Sequence, residues 1–177
     1  MLGLYNNFPG NVHKTVRFVT SVSEKTLQKA LVESFHKLNR GTSTLEEVTT
    51  PSIPRCKVIF EFGVAEDDDF NYLDDEERDR LLKVIRKKAF STMDFLCILR
   101  YYKLRDEAKR PLRSDYYMLR FIFGERIGRM RVFHEKGLMY VSPKDLPWFI
   151  VDKINAQFSR RVVKAQEVPS GFPSRNL

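Results

Sequence analysis

The chain is poor in the residues and runs that mark several protein classes. It has two cysteines, Cys56 and Cys97, among 177 residues, which excludes a disulfide-stapled scaffold. Eight glycines and eight prolines are too few for a collagenous or low-complexity chain. The longest apolar runs, 95–99 and 148–151, are far short of the roughly 20 residues that cross a bilayer. The first five residues lack the basic start and apolar stretch of a secretory signal. The sequence therefore predicts a cytoplasmic protein without a membrane partner.

Motifs that would indicate catalysis or a cofactor are also absent. His13, His36 and His134 are far apart in the sequence, and neither cysteine has a second one at metal-ligand spacing, so no zinc site is predicted. The glycines form no phosphate-binding or dinucleotide-binding loop. We therefore expect no cofactor and no metal, and the sequence favours a non-enzymatic protein. It carries no signal of oligomeric state.

What the chain does have is apolar side chains for a core and an uneven charge. Hydrophobic residues make up 42% of it, including 14 Phe and 7 Tyr, so it is not intrinsically disordered. Residues 1–80 contain 10 Lys and Arg against 14 Asp and Glu, a net charge of −4. Residues 81–177 contain the remaining 21 against 9, a net charge of +12, and the two halves sum to the formal +8 of the whole chain. Such an excess of cations favours a polyanionic partner, nucleic acid above all.

The first half predicts two strands that alternate with two helices. Residues 12–20 and 56–64 mix β-branched and aromatic residues with polar ones, as half-buried strands do. A stripe at helical spacing from Leu27 to Leu38 follows the first strand, and Gly41 is expected to end that helix in a left-handed conformation. After the second strand, acids precede and bases end the next helical stripe, which is the favourable order for a helix dipole.

The second half predicts four strands, a helix and a tail. Between Met93 and Val141 we expect four strands; the first, 95–105, also fits a helical stripe, and the last two form a hairpin around 136–137. The last helix begins near Asp145. The order is β-α-β-α-β-β-β-β-α, an α+β fold with a mostly antiparallel sheet of about five to six strands and three helices. Residues 1–165 form one domain, and residues 166–177 a loose C-terminal tail.

Arginines and tyrosines on one sheet face form the candidate site. Alternation along the predicted strands puts basic and aromatic side chains on the same face, where bases could stack on rings and guanidinium planes while arginines neutralise phosphates. The loop between the two central strands adds further cations. The predicted nucleic-acid-binding residues are Arg100, Tyr102, Arg105, Lys109, Arg110, Arg113, Tyr116, Arg120, Arg129 and Arg131. Because outward strand faces also carry Arg and Tyr for solubility and cross-strand pairing, a solvated basic face remains the alternative.

Three functional hypotheses follow. The first is a non-enzymatic protein that binds RNA or single-stranded DNA through this face and loop. The second is a small-molecule binding protein with an apolar cavity between the sheet and the C-terminal helix. The third is a metal-assisted phosphoryl-transfer enzyme that uses the acids between Asp67 and Asp75, which requires carboxylates from different segments to converge. Loop solvation and helix capping also explain those acids.

Overall fold

The computed structural model describes residues 2–51, 56–103 and 113–168, which form nine strands and four helices. The helices are α1 (Glu24–Arg40), α2 (Leu45–Val48), α3 (Asp75–Lys87) and α4 (Leu146–Asn155). The strands are β1 (Gly3–Leu4), β2 (Lys14–Thr20), β3 (Ser43–Thr44), β4 (Cys56–Glu66), β5 (Asp69–Tyr72), β6 (Thr92–Lys103), β7 (Arg113–Phe123), β8 (Ile127–Lys136) and β9 (Val163–Glu167).

The predicted α+β class and antiparallel sheet are confirmed, but the predicted counts are too low. All strand pairs are antiparallel and join one sheet in the order β1-β5-β4-β6-β7-β8-β2-β9, with β3 against β4. The elements that the sequence did not reveal are β1, β3, β5, β9 and the single turn α2. Each has two to five residues, too few for a periodic pattern of apolar side chains. Region 95–105, which also fitted a helix, lies largely in β6, and β9 includes two residues of the predicted tail.

The predicted hairpin around 136–137 is wrong, because residues 138–141 do not form a strand. Strand β8 pairs instead with β7 and β2. The backbone leaves the extended conformation at Gly137 (φ 112°) and Met139 (φ 57°). The backbone N–H groups of Met139 and Tyr140 then donate to the buried carboxylate of Asp115 instead of to a neighbouring strand. A side-chain acceptor has therefore replaced the ladder that the sequence pattern predicted.

The helix boundaries follow the capping chemistry in the sequence. Ser23 caps α1 and accepts from the Thr26 N–H at 3.2 Å, and Asp74 caps α3 in the same way. Acids occupy the first turn of α3 and bases its last turn, as predicted. Gly41 ends α1 in an extended conformation (φ −112°), however, and not in the left-handed one that the sequence suggested.

The helices pack on one face of the sheet and form the main core. The Phe35 ring of α1 stacks on Phe62 of β4 with centroids 3.9 Å apart, and Phe149 of α4 stacks on Phe60 at 5.3 Å. Close packing on this face also explains one glycine. Gly128 of β8 lies opposite Phe18 of β2, and a side chain there would overlap the Phe18 ring.

The opposite face of the sheet, which we call the outer face, has a second and smaller apolar cluster. Its buried strand residues include Leu96 and Ile98 of β6 and Met118 of β7. Residues 2–13, here the N-terminal segment, cross this face and add Phe8 to the cluster. The N-terminal segment thus partly covers the face of the sheet that the helices leave open.

Candidate nucleic-acid interface

The register brings six of the predicted residues onto the outer face. These side chains alternate with core residues on three neighbouring strands, so they share a face and lie in adjacent rows. They are Arg100 and Tyr102 of β6, Tyr116 and Arg120 of β7, and Arg129 and Arg131 of β8. Arg113 begins β7 and is exposed at the end of the sheet near Lys103. Arg105, Lys109 and Arg110 lie outside the described residues.

Two of these arginines are already neutralised by carboxylates of the same face. Arg100 donates from Nε and Nη2 to Glu61 at 2.9 and 3.3 Å. Arg120 donates from Nε and Nη2 to Asp94 at 2.7 and 2.8 Å, a closer bidentate pair. Hydrogen bonding to these acids raises the pKa of both guanidinium groups above the ordinary value. Their positive charge is therefore shared with an internal partner before any ligand arrives.

The tyrosines of the face also have internal contacts or partial cover. The Lys136 ammonium lies 4.4 Å from the centre of the Tyr116 ring, within the range of a cation–π interaction. Tyr102 is half-buried near the end of β6. Farther along β8, the His13 ring packs against Phe133 with centroids 5.0 Å apart. Aromatic rings on this face are thus less available for stacking than the sequence pattern suggested.

Six exposed cations that have no ion pair with another described residue lie together at one corner of the sheet, where β8, β2 and β9 meet. Arg17 of β2 is the direct cross-strand partner of Arg129, and Lys164 of β9 faces Val19 of the same strand. The turns at this end meet through backbone bonds from Thr20 to Arg126 and from Ser21 to Val162, both 2.9 Å. We call this set the basic corner: Arg17, Arg126, Arg129, Arg160, Arg161 and Lys164.

Sequence reasoning found one member of the basic corner and missed five. Arg129 belongs to the predicted set, whereas Arg17 was seen only as a polar position of the first strand. Its alternation with Val16 and Phe18 could have placed it on the outer face, but its partner strand could not be known without the register. Lys164 was missed because β9 is too short for a period-2 pattern. Glu125 is the acid in the turns of this corner, and it too is exposed.

The acids proposed for a metal site do not converge in the described structure. Asp74 accepts from the Glu77 N–H at 2.9 Å as the cap of α3. Asp75 bonds to His36 Nε2 at 2.6 Å and to Arg40 at 3.3 Å. The side chains at 67 and 68 are exposed at the β4–β5 turn. Within residues 2–51, 56–103 and 113–168, no three potential ligands lie close enough to hold a metal ion.

The apolar space between the sheet and α4 is small. A cavity lined by Phe18, Leu31, Phe121 and Ile154, among others, has a volume of about 10 Å³ open to the centre of a water molecule. That is about the space of one water and far below the roughly 300 Å³ of an ordinary ligand pocket. The cavity thus gives no support to the hypothesis of a bound small molecule.

A buried polar network lies at the other end of the sheet from the basic corner. Asp115 is fully buried and accepts from the Tyr101 hydroxyl at 2.6 Å and from His134 Nε2 at 2.9 Å. Burial is the main cause that raises the pKa of Tyr101. His134 and Asp115 resemble a catalytic pair only in composition, since their side chains are enclosed and bonded to structural groups. Burial also raises the pKa of the Cys97 thiol, which favours an inert thiol over a nucleophile.

Comparison with protein-family models, curated proteins and solved structures finds no match to this chain. None of the helices in the described part combines the length and the apolar composition needed to cross a membrane.

Proposed function

We propose that the protein is a non-enzymatic nucleic-acid-binding domain that holds RNA or single-stranded DNA against the outer face of its sheet. The basic corner supplies the principal phosphate contacts. Arg131, next but one to Arg129 along β8, extends the cationic surface toward the centre of the face. Arg100 and Tyr102 lie near the C-terminal end of β6, away from the basic corner. A bound nucleic acid would contact them only if it extended past the N-terminal segment.

The observation that carries this proposal is the direct pairing of Arg17 with Arg129. Their Cα atoms are cross-strand partners, so the Cβ atoms are about 5 Å apart. Like charges at this separation destabilise a sheet. Neither guanidinium has an ion pair with another described residue. A polyanion bound across the two arginines would remove this repulsion. Binding of a polyanion therefore explains the pairing of two arginines, whereas the solubility of the face alone does not.

The chemistry of the corner favours contacts with phosphates over contacts with base edges. Its exposed charged groups are six cations and the acid Glu125, and its exposed apolar neighbours are aliphatic: Val19 and Ile127. Without a ring on which a base could stack, the corner itself provides charge neutralisation, which depends strongly on salt and little on sequence.

Fluorescence anisotropy with labelled RNA, single-stranded DNA and duplex DNA tests the proposal. The wild-type protein should bind the single strands at low salt, and its affinity should fall steeply as salt rises, because phosphate contacts release counterions. Arg129→Glu and Arg17→Glu should each weaken binding and lower the slope of log affinity against log salt by about one. The effect should be similar for different sequences.

Lys37→Glu is the matched control. Lys37 is exposed on α1, on the helical side of the sheet, and its substitution changes the net charge by the same amount. If Lys37→Glu weakens binding as much as Arg129→Glu, the effect is one of overall charge and the basic corner is not the site. If the wild-type protein binds no nucleic acid at micromolar concentration and about 50 mM salt, the proposed function itself is wrong.

A further inference from the structure

The side chain of Phe8 occupies an unusual position on the outer face, below two arginines. The guanidinium carbon of Arg120 lies 4.7 Å from the centre of the Phe8 ring, and that of Arg131 lies 5.8 Å from it. These two arginines are direct cross-strand partners on β7 and β8. Proteins also stack nucleobases against guanidinium planes, so a planar ring packed beside two arginines occupies a place that a base could take.

The surroundings of the ring are built to receive a flat apolar group. Phe8 is 9% exposed and packs in the outer cluster with Leu96, Ile98 and Met118. The Arg120 guanidinium is held in place because both of its bonded nitrogens donate to Asp94, which also accepts from the Tyr5 hydroxyl. An apolar floor with a fixed cation beside it remains whether or not Phe8 fills it.

The segment that carries Phe8 is anchored at its two ends and little between them. The Tyr5 N–H donates to Asp68 O at 2.8 Å, and the His13 N–H donates to Val132 O at 2.9 Å. Within the described residues, no backbone–backbone hydrogen bond joins residues 6–12 to the sheet. Besides the Phe8 ring, the stretch has a hydrogen bond from Arg131 to Gly10 O at 3.0 Å, and the partly buried side chain of Val12 packs against the outer cluster. The stretch could therefore lift from the face without breaking a strand ladder.

We propose that the Phe8 position is a nucleobase-stacking site which the chain's own N-terminal segment occupies in the absence of ligand. This inference rests on the proposed function and adds to it the place where a base, and not only a phosphate, is bound. Two residues along β8 from Arg131, on the same face, Arg129 and its partner Arg17 hold the phosphates, so a single nucleic-acid strand can contact both sites at once. Phe8 competes with the base, and the apparent affinity of the wild-type protein is reduced by the fraction of molecules in which the site is covered.

The test compares the full chain with its Phe8→Ala variant on two oligomers of about 16 units, oligothymidine and an abasic strand with the same phosphates. The variant should bind oligothymidine about five-fold more tightly than the wild type, or more, because stacking of one base is no longer opposed. Its affinity for the abasic strand should be unchanged. Leu2→Ala is the control, since Leu2 is also apolar and in the same segment but lies beside Gly63, away from the arginines.

The outcomes separate this inference from the proposed function. If Phe8→Ala leaves the affinity for oligothymidine unchanged, or raises both affinities equally, there is no stacking site at this position, while phosphate binding by the corner can still hold. If the wild type and both variants bind neither oligomer at low salt, the proposed function fails as well. Should Phe8→Ala not fold by circular dichroism, Phe8→Leu leaves a smaller apolar cover without a ring, so a smaller gain for oligothymidine alone is expected, and no gain would overturn the inference.

Discussion

Replacement of Asp115 by alanine should destabilise the protein more than any change to an exposed acid. Asp115 accepts four hydrogen bonds: from Tyr101, from His134, and from the backbone N–H groups of Met139 and Tyr140, at 2.6 to 2.9 Å. One carboxylate thus ties β6, β7 and β8 to the segment that leads into α4. Alanine removes both acceptor oxygens, and with them all four hydrogen bonds.

The size of the effect follows from what remains buried. Each buried donor left without a partner costs about 1–3 kcal/mol. Because the four donors cannot all reach water, we expect Asp115→Ala to lower the free energy of unfolding by about 3–5 kcal/mol. A domain of this size has a total stability of about 5–15 kcal/mol, so the variant should be strongly destabilised.

Asp115→Asn should have a smaller effect, because it keeps one acceptor oxygen. In the favourable orientation, that oxygen replaces Oδ1 and still accepts from His134 and Met139. The new amide nitrogen then meets the Tyr101 hydroxyl, which can turn to accept, and the Tyr140 N–H, which cannot. We expect the free energy of unfolding to fall by about 1–3 kcal/mol, because the new amide N–H and the Tyr140 N–H are two donors that face each other without an acceptor.

Urea unfolding followed by circular dichroism and by the fluorescence of Trp148, the one tryptophan in the chain, measures these differences. Asp152→Ala is the control, since Asp152 is an exposed acid of α4, and it should stay within about 0.5 kcal/mol of the wild type. A loss of less than about 1 kcal/mol for Asp115→Ala would refute the reasoning, because four buried donors would then have found other partners.

Two further predictions concern a glycine and the hydrogen bond between His36 and Asp75. Gly137→Ala should lower the free energy of unfolding in urea by about 1–3 kcal/mol, because φ is 112° at this position and a Cβ would overlap the Asp115 carboxylate. Gly10→Ala is the control and should cost little, because a Cβ there has no atom within 4 Å. Equal effects of the two substitutions would contradict this reasoning. The hydrogen bond from His36 lowers the pKa of Asp75 in the folded protein. This pair therefore stabilises the fold at a pH above the pKa that Asp75 has in the unfolded chain. The stabilisation is lost as the pH falls through the lower pKa that Asp75 has in the folded protein. Thermal unfolding of Asp75→Asn should therefore depend less on pH below about 4 than that of the wild type, and an unchanged dependence would show that the pair does not contribute.

The fold was predictable where local signals were strong and long. The apolar stripe of α1 and the acid-to-base order of α3 are local signals that extend over more than ten residues each. The segment after β8 was not predictable, because the acceptor that holds Met139 and Tyr140 is the side chain of Asp115, more than twenty residues earlier. No local pattern records such a long-range bond.

The candidate site was predictable as a face but not as a charge distribution. Alternation alone put Arg120 and Arg131 on the same side of their strands. It could not reveal that Asp94 of β6 would neutralise Arg120, since that pairing depends on the register between β6 and β7. Nor could it show that residues 2–13 return across the face, because the segment has only two residues of regular strand.

The two arginine pairs of the outer face argue against reading the whole face as one uniform basic surface. Arg120 and Arg131 are cross-strand partners, as are Arg17 and Arg129, so each pair brings two positive charges together. The first pair is relieved from within the chain, by Asp94, by the Phe8 ring and by a carbonyl of the N-terminal segment. The second pair has no such relief among the described residues. A sheet that needed only solubility could have placed an acid opposite one of these arginines. An external anion therefore gains most binding energy at the pair Arg17 and Arg129, where it removes a repulsion. At the pair Arg120 and Arg131, a ligand must first compete with contacts that the protein makes itself.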